Sequence, residues 1–409
     1  MKEIISMQTI PEIYTNASAR LFHKHPLVVE VYEKIKNHDL RFLDEDNIKR
    51  RIERLLGNPL VEKILADKGV ADEFRSLVNL NNLSEKGHSE LERVISGADF
   101  IPIWFLSRGC ELRRTVARIS VRLSSGNSYG TGFLIGPGVL ITNFHVLDFT
   151  DIQGESIDKV LAKVTVEFDY EEKFDGSMQN SVSFALDYES LLLTSRWDDL
   201  DYVVVALKRH SKDEAIAIDA FGYNRLAGDL GKIAKGEPVY IIQHPNGQPK
   251  QLVLQNNRLI DRDDHLPYLT YEADTNFGTS GAPVYNAQWE VIALHHSAEV
   301  ARDHKGNVLA KNGSVWQPYM GSAMVKFLNL NEGVRVSRIL ADLNQKYLSV
   351  KNGYHEEQKS FEFCSSYGLQ LLEVVLQTKA GAKPVDLIVP VPIENPPEHK
   401  KSYKFPKPD

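Results

Sequence analysis

Between Thr115 and about Ser297 the chain is divided into short apolar runs by turn-forming residues, and this pattern limits the possible folds more than any other feature. The first run alternates: Ala117, Ile119, Val121 and Leu123 are apolar, while Arg118, Ser120 and Arg122 are polar. A period of two puts each set on one face of a strand. Runs of similar length recur at Gly132 to Ile135, Val139 to Thr142, Tyr202 to Leu207, Pro238 to Gln243 and Val291 to His295. Many short strands with Gly, Asn and Pro between them predict an all-β sandwich or barrel.

The flanks have a different period. Leu27, Val28, Val31, Tyr32 and Ile35 fall on one helical face, as do Ile48, Ile52, Leu55 and Leu56, before a stop at Gly57-Asn58-Pro59. Leu60, Val61, Ile64 and Leu65, then Phe74, Leu77 and Val78, extend the helical spacing; Asn79 to His88 reads as a loop, and Leu91, Val94 and Ile95 resume. After Asn331, Val336, Ile339, Leu340 and Leu343 predict another helix, and Leu369, Leu372, Val375 and Leu376 one more. The last 26 residues hold seven prolines among lysines, the pattern of an extended tail or docking peptide. The expected organisation is a helical adaptor or regulatory domain over 1–110, a β domain over 111–345 and a C-terminal extension over 346–409. The fold class is multidomain α+β.

Composition narrows function by exclusion. The net charge of −7 argues against broad binding to nucleic acid or to an anionic membrane. Two cysteines, Cys110 and Cys364, cannot form a disulfide framework and read as buried thiols. No apolar run approaches the roughly 18 residues of a membrane span, and the first residues lack a signal-peptide core. A cytoplasmic protein is the expectation. His23 and His25 have no partners at metal-ligand spacing and read as surface histidines. No phosphate-binding loop is present, and no metal or organic cofactor is expected.

Three segments within the β-rich region carry chemistry. Gly130-Thr131-Gly132-Phe133-Leu134-Ile135, then Ile141-Thr142-Asn143-Phe144-His145-Val146, places a histidine after a strand–turn–strand unit. Leu200-Asp201-Tyr202-Val203-Val204 places an acid at the mouth of a buried strand, with Asp198 and Asp199 as rivals. Asp274-Thr275-Asn276-Phe277-Gly278-Thr279-Ser280-Gly281-Ala282-Pro283-Val284 places a serine in a glycine-flanked turn before a strand. Each alone has an ordinary structural explanation. Together, in this order, they are the parts of nucleophilic acyl transfer: a hydroxyl, a base for its proton and a carboxylate to orient the base.

From about Arg118 to Leu343 the chain resembles the chymotrypsin-fold serine proteases, and looks closest to the bacterial branch with the glutamyl endopeptidases and the high-temperature-requirement proteases. The order His, Asp, Ser is also that of chymotrypsin. The resemblance implies a double six-stranded β-barrel and a protein or peptide substrate. It makes Ser280 the nucleophile, His145 the base and Asp201 its orienting acid. Backbone N–H groups of Gly278 and Ser280 would then form the oxyanion hole. His295 and His296, with Thr275, resemble the glutamyl-endopeptidase pocket, implying cleavage after an acidic or amide residue; Asp274 stands where trypsin's basic-selecting aspartate would. Thr279 replaces the aspartate that receives a new N-terminus in digestive trypsins, so activation by amine insertion is not expected. Gln243-His244-Pro245-Asn246-Gly247 resembles a loop that shapes the cleft. The stretch from Asp99 to Ile119 resembles the junction after small effector-associated domains, implying a sensor or protein partner for the N-terminal helices; the alternative for them is that residues 1–110 pack against the barrel as a stabilising extension. The alternative is a catalytically silent trypsin-like fold used for peptide binding.

Overall fold

The structure is a computed structural model that describes residues 12–37, 39, 42–56, 84–96, 102–123, 126–147, 157–262, 266–321, 324–352 and 362–377. The predicted helical stripe of 60–78 and the proline-rich tail lie outside these residues. Five helices come first: α1 (Glu12–Phe22), α2 (His25–Lys36), α3 (Glu45–Leu56), α4 (Glu85–Ser96) and α5 (Trp104–Arg113). Ile48, Ile52, Leu55 and Leu56 form the buried face of α3, as their spacing predicts. On α2 Val31 is buried and Leu27, Val28 and Ile35 are partly so, but Tyr32 faces outward. The segment read as a loop up to His88 is already helical from Glu85, because the Ser84 hydroxyl accepts the Gly87 N–H and starts α4.

Strands follow: β1 (Val116–Leu123), β2 (Gly126–Gly136) and β3 (Val139–Thr142), then the short helices α6 (Phe144–Leu147) and α7 (Ile157–Leu161). Next come β4 (Val164–Phe168), β5 (Val182–Phe184), β6 (Leu191–Ser195), β7 (Tyr202–Ala206), β8 (Tyr240–Gln243), β9 (Gln251–Val253), β10 (Arg258–Arg262), β11 (Tyr268–Glu272), β12 (Pro283–Tyr285), β13 (Val291–Val300) and β14 (Phe327–Arg335). The chain closes with α8 (Val336–Lys351), β15 (Phe363–Cys364) and α9 (Ser366–Leu376).

The strands form two antiparallel sheets, ordered β15-β6-β7-β3-β2-β1-β4-β5 and β10-β11-β14-β13-β12-β8-β9. They are the half-barrels of a chymotrypsin-like fold, with eight and seven strands rather than six each. The alternation in β1 holds: Ala117, Ile119 and Val121 enter the core of the first sheet with Leu134, Leu140, Val203 and Val205. The opposite faces of β2, β3 and β7 are buried too, since Phe133, Ile141 and Val204 join a cluster with Tyr285, Trp289, Leu294, Ile339 and Leu372. That cluster joins the two sheets, α8 and α9. Burial on both faces explains why these strands read as continuous apolar runs.

α1, α2 and α3 make contacts with the second sheet and the segments around it. α1 and α2 pack on β10, β13 and β14, where Ala17, Leu21 and Val31 meet Ile260 and Leu330. On α3, Arg51 forks onto Glu237 (2.8 and 2.7 Å), and both side chains are about 1% exposed. A boundary at residue 110 would cut α5. A boundary at 345 would cut α8, and β15 extends the first sheet beyond it. The physical reason is burial: α1–α3 cover apolar and charged groups of the second sheet that would otherwise meet water.

Candidate active site

His145 sits in α6, the single turn after β3, and Asp201 immediately before β7, its partner in the first sheet. Ser280 precedes β12 in the second sheet. The site is therefore assembled across the junction of the two half-barrels. His145 Nδ1–H donates to Asp201 Oδ2 at 2.7 Å, and the His145 backbone N–H donates to Oδ1 at 3.1 Å. Asp201 adopts a left-handed φ of 45°. Two bonds hold it there: its N–H reaches Arg196 O at 2.9 Å, and its carbonyl accepts Asn143 Nδ2 at 2.8 Å. The rival acids lie elsewhere. Asp198 pairs with Arg196, and Asp199 accepts from the Ser195 hydroxyl.

The serine turn depends on two glycines at φ +86°. A Cβ on Gly278 would lie 2.5 Å from His244 O, and one on Gly281 would overlap Thr131 O and the Thr142 hydroxyl. β2 holds the turn: Thr131 Oγ1 donates to Gly278 O (2.7 Å), and Thr131 N–H to Ser280 O (2.9 Å). Among the described residues, neither Gly278 N–H nor Ser280 N–H has an intrachain acceptor. Both remain available to an incoming oxyanion. Thr279 is buried, accepts Asn276 N–H (3.1 Å) and donates to Gln243 Oε1 (2.6 Å), so it braces the turn from within. His244 supports the same turn from behind. Burial, with Lys250 and Arg118 nearby, pushes its pKa down to about 3, and its neutral ring bonds Gln248 O at 3.0 Å.

Asp201 is fully buried, and burial alone would raise its pKa. His145 and His296 more than offset this and hold it at about 2. His296 was not expected there. It and His295 were placed by sequence in a substrate pocket, but both are buried. His296 Nδ1–H donates to the same Asp201 Oδ2 at 2.8 Å, and its Nε2 lies 3.5 Å from Glu332. His295 is paired with the Tyr271 hydroxyl at 2.7 Å; burial first, then the two neighbouring histidines, push its pKa down to about 3. Thr275 donates to Asn331, while Asp274 is exposed and its backbone carbonyl accepts from Gln243 (3.1 Å). The expectation of two buried thiols does not hold: Cys364 is half-buried and Cys110 is exposed on α5.

Two features had no sequence signal. One is the second imidazole on Asp201. The other is Tyr14 of α1, whose hydroxyl lies 3.3 Å from Ser280 Oγ, while His145 Nε2 is buried with no hydrogen-bond partner among the described residues. The helical pattern places Tyr14 on no particular surface, and 266 residues separate it from Ser280.

Residues 130–294 match the family described as Trypsin-like peptidase domain. An uncharacterized protein, y4fB, of Sinorhizobium fredii is 36% identical over 269 residues, 62% of this chain and 39% of that protein. A probable periplasmic serine endoprotease, DegP-like, of Pseudomonas savastanoi pv. phaseolicola is 26% identical over 173 residues, 41% of this chain and 29% of that protein. The chain thus spans well under half the length of these relatives. Among solved structures, the Rv3671c protease of M. tuberculosis in its active form aligns with 60% of this chain and 87% of its own, at 14% identity and a TM-score of 0.35. The serine endoprotease of Yersinia pestis aligns with 62% and 69%, at 12% identity and a TM-score of 0.36.

Proposed function

We propose, for a chain whose residues 130–294 are a trypsin-like peptidase domain, that it is a serine endopeptidase working through Ser280, His145 and Asp201. The observation that carries this reading is the 2.7 Å bond from His145 Nδ1–H to buried, ionised Asp201. With Nδ1 committed as donor, the lone pair of His145 is left at Nε2, the atom that must take a proton. Ser280 Oγ would attack the scissile carbonyl carbon as Nε2 takes the hydroxyl proton. The carbonyl π pair moves onto oxygen, which accepts from the Gly278 and Ser280 N–H groups. Collapse breaks the C–N bond, and the amine leaves with the proton from Nε2. Water then repeats the cycle on the acyl-enzyme. One oxyanion donor of this kind is worth about 2.7–4 kcal/mol in the transition state.

The preference for acidic residues is not carried forward, because His295 and His296 are committed to Tyr271 and Asp201. We place the enzyme inside the cell, where the exposed thiol of Cys110 suits a reducing compartment. Among the described residues no helix is long and apolar enough to cross a membrane. The N-terminal helices are proposed to control activity. A fluorophosphonate probe tests the catalytic reading. Ser280 should be labelled in the full chain once Tyr14→Ala removes the hydroxyl 3.3 Å from its Oγ, with labelling lost when Ser280→Ala or His145→Ala is added. A wild type that resists the probe with α1 displaced would favour the binding-module alternative.

A further inference from the structure

α1 lies over the nucleophile. Tyr14, Ala17, Ser18 and Leu21 follow the i, i+3, i+4, i+7 spacing of one helical face, and all four are buried. The Tyr14 hydroxyl is 3.3 Å from Ser280 Oγ. Its ring packs edge-on to His145 and Phe277 and tilted against Phe327, with centroids 6.4, 5.5 and 5.5 Å away. One turn later Ser18 Oγ accepts the Val300 N–H (3.0 Å), a main-chain donor at the end of β13. Arg20 then forks onto Glu332 of β14, with one arm at 2.9 Å. Glu332 neighbours His296, the second partner of Asp201. Lys24, just after the helix, pairs with Asp261.

A reacting carbonyl carbon must come within about 3–3.5 Å of the nucleophile. The Tyr14 hydroxyl fills that position. It brings no electrophilic carbon to Ser280, and the helix keeps its own carbonyls in internal bonds, away from the extended form that cleavage requires. Burial raises the Tyr14 pKa to about 12, so the group facing Ser280 is a neutral hydroxyl.

We propose that α1 is a built-in inhibitor, with Tyr14 on the nucleophile, Ser18 on the edge of β13 and Arg20 on Glu332, and that substrate enters only when α1 leaves. The proposal rests on the protease reading for its meaning, but the occlusion can be measured without catalysis. In the full chain carrying Ser280→Cys, iodoacetamide alkylation at position 280 is followed by peptide mass spectrometry, which separates it from Cys110 and Cys364. Adding Ala17→Glu puts a carboxylate into the buried face of α1 without touching the nucleophile. Tyr14→Ala removes the plug and keeps the helix. Each should raise the alkylation rate at least about 10-fold, as expected for opening a site that native fluctuations seldom expose. Equal rates in all three chains, with hydrogen exchange showing α1 unseated by Ala17→Glu, would overturn the proposal. Fluorophosphonate labelling of the Ser280 chains separates the two readings. Faster alkylation with no labelling of either the Ala17→Glu or the Tyr14→Ala chain would remove the protease reading and keep the plug. Labelling of the wild type as fast as both variants would remove the plug and keep the protease.

Discussion

His145 and His296 both donate Nδ1–H to one oxygen, Oδ2 of Asp201, at 2.7 and 2.8 Å. The acid proposed to orient the base is thereby held from two sides, and of the two imidazoles only His145 is part-exposed. His296 is a positioning residue. Its loss should leave Asp201 with one strong partner and more freedom to turn away from His145.

For His296→Ala, kcat/KM on a peptide substrate should fall roughly 10- to 100-fold, since a hydrogen bond to a charged group is worth about 1.5–3 kcal/mol. The loss should appear in kcat, with KM little changed, because His296 is buried away from solvent. His296→Asn keeps an amide donor near the Nδ1 position and should recover most of the rate. Steady-state kinetics of the two variants, with α1 displaced, would check this. An unchanged kcat in His296→Ala would show that the second bond does not position the acid.

Acid should weaken the fold through Asp201. Its folded pKa of about 2 lies below the ordinary 3.8, so the unfolded chain binds its proton first as pH falls. This stabilisation, on the order of 2 kcal/mol, is complete above about pH 5 and disappears as pH falls through 2. About half should be lost between pH 5 and pH 3. Urea unfolding of the wild type and Asp201→Asn at both values isolates the contribution, because the variant lacks the titrating group. The gap between them should narrow by about 1 kcal/mol on acidification. A constant gap would mean that His145 and His296 do not hold the carboxylate ionised.

The segments of the proposed triad were legible because each has a local signature. Gly278 and Gly281 mark the serine turn, a strand–turn–strand unit precedes His145, and Val203–Val205 is continuous behind Asp201. The strand pattern was legible for the same reason, since alternation and apolar runs are written within single elements. His296 and Tyr14 were not legible, because their partners lie 95 and 266 residues away and depend on how the two sheets meet. The helical stripe at Ile48, Ile52, Leu55 and Leu56 showed that α3 buries a face. It did not show that Arg51 on the same helix would meet Glu237, 186 residues away.

Gly281→Ala should damage stability and activity together. The residue sits at φ +86°, and a Cβ there would overlap Thr131 O and the Thr142 hydroxyl. Thr131 also holds the Ser280 and Gly278 carbonyls, so any shift that relieves the overlap displaces the oxyanion donors. Left-handed strain and overlap together should cost about 2–4 kcal/mol. Chemical denaturation measures that loss. Fluorophosphonate labelling should fall by more than unfolding alone explains; labelling at the wild-type rate would mean the turn tolerates a side chain.

Arg51 and Glu237 test whether α3 belongs to the protease body. The pair is bidentate, about 1% exposed on each side, and Arg51 also donates to Gln288 at 2.7 Å. Burial pushes the Glu237 carboxyl up even against the opposing effect of Arg51. Removing the guanidinium therefore strands a carboxyl group in an apolar setting. Arg51→Ala should destabilise the full chain by about 3–5 kcal/mol in urea unfolding. Arg51→Met with Glu237→Leu removes both charges and should restore most of the loss, because a buried ion pair and a packed apolar pair are often close in energy. If α3 instead belonged to an independent module touching the barrel only loosely, Arg51→Ala would cost no more than a surface substitution, within about 0.5 kcal/mol. On the integrated reading, expressing residues 112–345 alone uncovers Ile260 and Leu330 as well as Glu237. That fragment should aggregate, even though every triad residue lies within it. A soluble, cooperatively folding fragment, together with a small effect of Arg51→Ala, would return α1–α3 to the status of a detachable domain.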